Sequence, residues 1–210
     1  MNVRPSDLPH SEFYGILINS IAPRPIAWVS TVSASGVPNL APFSFFNAVC
    51  GDPPLLVIAV GLRAAKDVKI HEGLAKDTLR NIRETNQFVV NVVTYELAEA
   101  MNVTSGDYGP EVDEFELAKV TPQQSSVVRP PRVAESPVSF ECEVYQIIDF
   151  SPAPTGSSLV IGRIVSVYIN DANRKDGRLD RNSLDLLGRM GGLQYTTTRE
   201  RFEMVRPKVG

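Results

Sequence analysis

Histidine and cysteine are nearly missing from this chain, with two of each in 210 residues. The histidines, His10 and His71, are too few for the usual imidazole metal centres or for a histidine-based triad. Cys50 and Cys142 stand far apart with no CxxC spacing, which removes a metal knuckle and a dithiol redox pair; both are expected to be buried thiols of a cytoplasmic protein. An excess of basic charge is lacking as well. Twenty-one Lys and Arg against 24 Asp and Glu leave a net charge of -3, so no field gathers nucleic acid phosphates or an anionic membrane. No apolar run approaches the roughly 20 residues of a membrane span. Met1 to Phe13 lacks the apolar centre of a secretory signal, and no GxGxxG follows a strand. With so few reactive side chains, the chemistry of this chain is expected to need a borrowed reagent.

What is present is a run of strand signals. Hydrophobic residues make up 43% of the chain, enough for one substantial core over residues 1–210, with an N-terminal arm of about residues 1–12 and a tail from about residue 186. Residues 25–32 (PIAWVSTV) read as a strand running into a turn at Ser33 to Gly36. Residues 40–49 (LAPFSFFNAV) read as an aromatic extended segment that Pro42 confines to an edge or bulge. Residues 55–60 (LLVIAV) are expected to be a central strand buried on both faces. The charged stretch 61–76 reads as a functional surface loop. Asp77 is expected to cap a short helix over 78–85, followed by a strand at 87–93 and short helices near 96–102 and 111–118. Residues 120–137 read as irregular, 138–150 and 158–169 as a long hairpin, and 171–185 as an exposed loop. Many strands with only short helices between them argue for a mainly β, Greek-key barrel over a parallel sheet.

Three segments occur in order: APRPIAWVST (22–31), PNLAPFSFFNAVCGDPP (38–54) and KDTLRNIRETNQFVVNVV (76–93). Together with SPVSFECEV, GRIVSVYIND and GRMGGLQYTTT further on, they resemble the flavin reductase-like family of FMN-binding split barrels from about Phe13 to Thr198. The resemblance implies a split β-barrel that dimerises, with FMN in a groove completed by the second subunit. It also implies NADH or NADPH as the small-molecule electron donor, and a protein or free flavin as the acceptor.

The residues are compatible with those implications, although each segment alone has a plainer explanation. A phosphate needs oriented N–H donors, a hydroxyl and a cation, and a helix N-terminus at Lys76, Asp77 and Thr78 offers them. The same stretch is equally an ordinary capped helix, and a carboxylate at Asp77 opposes an anion there. In FSFFN, Ser44 and Phe46 share one face while Phe43, Phe45 and Asn47 share the other, so a strand could offer an isoalloxazine both apolar and polar edges; taken alone it is core. Ser30 and Thr31 match family positions that donate to the flavin, or else terminate a strand. Trp28 is a ring neighbour or a barrel-wall residue. Arg24, fixed between two prolines, binds a nucleotide or makes a surface ion pair. No protein nucleophile is required, because a flavin would perform the redox step. The expected activity is therefore an NAD(P)H-dependent flavin reductase, the alternative being a flavoredoxin-like electron carrier without efficient NAD(P)H oxidation.

Overall fold

The computed structural model describes residues 2–63, 75–151 and 156–209. After a 3-10 turn, Pro5–Asp7, comes helix α1 (His10–Ser20). Strands β1 (Arg24–Pro25), β2 (Ala27–Val32), β3 (Pro38–Phe43), β4 (Phe46–Gly51) and β5 (Pro54–Gly61) follow, then α2 (Asp77–Thr85), β6 (Gln87–Val92), α3 (Ala98–Val103) and α4 (Glu114–Ala118). The short strands β7 (Pro122–Gln123) and β8 (Arg132–Val133) precede the long pair β9 (Val138–Asp149) and β10 (Ser157–Ile169). The chain continues through β11 (Arg174–Lys175), β12 (Arg178–Leu179), β13 (Leu187–Arg189) and β14 (Tyr195–Thr197).

One antiparallel sheet, ordered β3-β2-β6-β9-β10-β5-β4, dominates. Its two edges, β3 and β4, are consecutive in sequence, with only Ser44 and Phe45 between them. That short link forces the sheet to curl until its edges nearly meet. β3 touches β5, and the Phe45 carbonyl accepts a hydrogen bond from the Ala59 amide at 2.8 Å. The result is a mainly β barrel split along one seam. Pro42 sits in edge strand β3, where its missing N–H disturbs no ladder. The turn after β2 closes through Gly36 at φ +94, a conformation glycine adopts without strain.

Strand β2 is buried at every position because both its faces are covered. Ala27 and Val29 point to a cluster with Leu56, Ile58, Val60, Phe88 and the Leu79 and Ile82 face of α2. Trp28, on the other face, packs with Leu40, Met101 and Phe115 beneath α3 and α4. Burying side chains of this size stabilises the fold by roughly 1.5–3 kcal/mol each.

Several expectations need correction. β5 is not buried on both faces: Leu56, Ile58 and Val60 are buried while the residues between them are half-buried, and the strand lies one place from the sheet edge. The doubly covered strand is β2, whose short apolar run gives the weaker sequence signal. Asp77 does not cap α2; the N-cap is Lys76, with no side-chain cap bond. The third helix begins at Glu114, capped by the Asp113 carboxylate, which accepts from the Phe115 amide at 2.9 Å. Cys50 is exposed on β4, while Cys142 is buried, and burial, with Glu141 next, pushes its thiol pKa up. Helix α1, which no expectation from the sequence covered, begins at His10 within the N-terminal arm. Most of the expected 61–76 loop, and residues 152–155 of the long hairpin, lie outside the described residues. No helix among the described residues is long and apolar enough to cross a membrane.

Candidate functional site

Two cavities open side by side at the seam and share Pro42, Phe43, Leu62 and Lys76. One, of about 260 Å³, is polar and is walled by the start of α2, by Asn39 and Glu114, and by residues 104–108. The other, of about 670 Å³, is walled by α1, by Ser44 and Phe45, and by Ser157 at the start of β10.

The polar cavity is braced by buried charge. Asp77, in the first turn of α2, is paired with both Arg63 and Arg80. Arg63 is nearly inaccessible and also donates to the Ala75 carbonyl and to Asp107. The carboxylate that seemed to oppose an anion at this helix is therefore already neutralised. Because no side chain among the described residues caps α2, its first-turn amides suit another acceptor, and the partial positive charge of the helix end adds to theirs. Lys76 projects from the N-cap, 5.9 Å from the Phe43 ring centre. Burial lowers its ammonium pKa, Asp107 opposes that shift, and Arg63 adds to it. A cation held at such a cost is stabilised by an arriving anion.

A second network fixes the wall opposite. Glu114 of α4 accepts from Asn39 Nδ2 at 2.8 Å and from the Leu40 amide at 3.0 Å. Burial raises the Glu114 pKa, and those two hydrogen bonds lower it again in part. Asn39 Oδ1 in turn accepts from Thr78 Oγ1 at 3.0 Å, so α4 is linked through β3 to the first turn of α2. Thr31 Oγ1 accepts from Asn81 at 3.0 Å behind this chain.

Of the candidates from sequence, the seam brings together Phe43, Ser44, Phe45, Lys76, Asp77 and Thr78. It does not bring in the others. Trp28 is fully buried on the far face of β2, donating to Thr104 Oγ1 at 2.8 Å. Ser30 donates to the Pro131 carbonyl at 2.5 Å, and Thr31 lies beneath Asn39. Phe46 packs against the barrel core, and Asn47 is exposed, accepting from the Ala48 amide at 2.9 Å. Arg24 is no surface ion pair. It is buried and donates to the carbonyls of Ile18, Ile21 and Met190 at 2.7, 2.6 and 3.0 Å, with Nε 3.4 Å from Ser44 Oγ.

Sequence reasoning missed His10 and Tyr14 on α1, together with Asn39, Arg63 and Glu114. The spacing of Phe13, Ile16, Leu17 and Ile21 was the available signal for α1. Nothing local marks Glu114, because its partners lie some 75 residues away. Among the described residues no group of three or more His, Cys, Asp or Glu could hold a metal ion.

A split barrel with a cation and a helix N-terminus beside an aromatic-lined cleft suits a planar ligand that carries an anionic group. Residues 19–188 match the flavin reductase like domain family, and the chain belongs to that family. An uncharacterised protein of Halalkalibacterium halodurans is 38% identical over 211 residues, 100% of this chain and 98% of that protein. Among solved structures, nitrilotriacetate monooxygenase component B from Bacillus cereus superposes with a TM-score of 0.88 at 33% identity, covering 97% of this chain and 98% of that one. The Pseudomonas fluorescens 2-nitrobenzoate 2-nitroreductase NbaA gives 0.85 at 34% identity, over 99% and 96%. This chain is thus a flavin-related oxidoreductase.

Proposed function

We propose that this protein binds FMN along the seam, with the phosphate in the polar cavity and the ring in the aromatic one, and oxidises NADH or NADPH. The observation that carries the reading is the continuity of the two cavities at Lys76 and Phe43. A phosphate-sized polar recess thereby opens directly into an apolar, aromatic one. The donor set fits the group: Lys76 and the amides at the start of α2 suit a phosphate, while Phe43, Phe45 and Leu62 offer apolar faces to a ring system. Bound there, FMN would supply the hydride-accepting chemistry that no side chain here can. The protein's share is to hold and orient. Asp77 keeps Arg63 and Arg80 in place, Glu114 fixes Asn39 and through it Thr78, and Arg24 anchors the Ser44 hydroxyl at the rim.

The reading extends to a homodimer. Among the described residues β4 pairs on one side only, with β5, and exposes Val49; a second copy across this edge would protect it and cover the cleft. A cytoplasmic location is supported by Cys50 and Cys142, both free. The two neighbours at 33% and 34% identity are a monooxygenase component and a nitroreductase by name, which supports redox chemistry in which electrons pass on to a further acceptor.

The experiment is anaerobic mixing of the FMN-loaded protein with NADH and with NADPH. Loss of the oxidised-flavin absorbance within seconds is expected with at least one of them. Flavin that stays oxidised with both, yet is reduced by a protein donor, would make the chain an electron carrier instead.

A further inference from the structure

We infer that residues 199–209 form an arm that docks on a second copy of this chain, adding a strand to the open edge of that copy's β4; the inference rests on the homodimer reading above. The arm has a firm root. Arg199 Nε lies 2.7 Å from Asp185 Oδ2, with its guanidinium 4.4 Å from the Tyr95 ring centre. Arg201 donates to the carbonyls of Arg181, Leu184 and Thr198. Beyond that clamp the chain leaves its own fold. Phe202, Met204 and Val205 are 85%, 83% and 93% exposed. The Arg181–Glu203 pair is exposed on both sides and adds little. Among the described residues no backbone-to-backbone hydrogen bond involves residues 199–209. Large apolar side chains and a run of backbone donors and acceptors are thus presented together without a partner in their own chain.

The sheet offers one receiver for them. Its two end strands are finished differently. At β3 the Leu40 amide donates to Glu114, and α4 closes that side. Strand β4 pairs only with β5 among the described residues and is exposed from Asn47 to Gly51. Edges are ordinarily protected by charge, proline or a covering element, yet Phe46 to Gly51 (FNAVCG) contains neither a charged residue nor a proline. An open edge of this kind is a template for an added strand.

Length and charge fit as well. Between the Arg201 clamp and Pro207, which cannot donate to a ladder, stand residues 202–206, as many as the exposed residues 47–51 of β4. The arm carries Arg199, Arg201, Arg206 and Lys208 against Glu200 and Glu203, which leaves 17 Lys and Arg against 22 Asp and Glu on the rest of the chain. A basic arm is drawn to an acidic body. A second copy supplies both the open edge and the opposite charge.

The test compares the full-length protein with a chain ending at Arg201, which keeps both arginine anchors. Dimer dissociation constants are read by sedimentation over a dilution series. Loss of the arm is expected to weaken the dimer at least about tenfold, with the far-UV circular dichroism spectrum otherwise that of wild type. Phe202→Ser with Met204→Ser in the full-length chain should reproduce most of that loss. Placement is read by cross-linking, since Cys50 is exposed and Cys142 is buried. Phe202→Cys, Met204→Cys and Val205→Cys are oxidised one at a time. At least one is expected to give a disulfide-linked dimer that Cys50→Ser abolishes. A dimer equally tight without the arm overturns the inference and leaves the homodimer reading standing, whereas a monomeric wild type ends both. A disulfide that closes within one chain, or none at any of the three positions, overturns the docking on β4.

Discussion

The two halves of the seam are built by opposite means. On the α2 side the wall is tied by buried ion pairs and a side-chain relay from Glu114 through Asn39 to Thr78. On the α1 side the wall is a helix with no fully buried residue, whose C-terminal end Arg24 holds by its carbonyls. A preorganised anion site needs fixed dipoles and charges, because any freedom must be lost again on binding. A site that admits an exchanging substrate can be looser. The contrast is between a braced polar half and a loosely held aromatic half.

The sharpest way to break that contrast is to remove the charge that organises the polar half. Asp77→Ala leaves Arg63 buried without its main partner, and loss of one member of a buried pair costs about 3 kcal/mol or more. A urea midpoint close to that of wild type would show that the α2 wall is not rigidly braced. Arg24→Met should cost less, about 2 kcal/mol, since it removes charge-assisted bonds to three carbonyls. Its effect should also be local: limited proteolysis should cut near α1 well before the barrel unfolds. If Arg24→Met and Asp77→Ala unfold the protein in the same all-or-none manner, the two halves are one mechanical unit.

How far the sequence foretold this difference depends on the range of the interactions. The barrel strands were legible because alternation and turn residues act locally: β2, the turn at Gly36 and the β9–β10 hairpin fall where residue pattern places them. Lys76 and Thr78 were legible for the same reason, as a helix start with a cation. The neutralisation of Asp77 was not, since Arg63 reaches it across 14 residues of chain. Trp28 illustrates the converse. It is two residues from Ser30 on the same face of a strand, but that face turns toward α3 and α4, and only the arrangement of layers decides it. Helix α1 was missed because its apolar residues, half-buried or exposed in the fold, are interrupted by Gly15, Asn19 and Ser20 and mark no clean buried face.

The smallest expected effect concerns the unliganded protein. Burial lowers the Lys76 pKa from the ordinary 10.5. Between the lowered value and 10.5 the unfolded chain holds more protons on this residue than the folded one, so its contribution makes stability rise with pH across that window. Lys76→Met removes the buried ammonium, and should raise the urea midpoint of flavin-free protein at neutral pH and flatten that rise. A lower midpoint would mean that Lys76 is held by partners and not kept ready for an anion.

The central claim is that a flavin phosphate sits at the start of α2 beside Lys76. It is tested most directly by titrating FMN and riboflavin, which differ only by that phosphate, into wild-type and Lys76→Ala protein. Wild type should favour FMN by at least about tenfold, and the substitution should remove most of that preference while leaving riboflavin affinity unchanged. An FMN-to-riboflavin preference that survives Lys76→Ala intact would contradict the account.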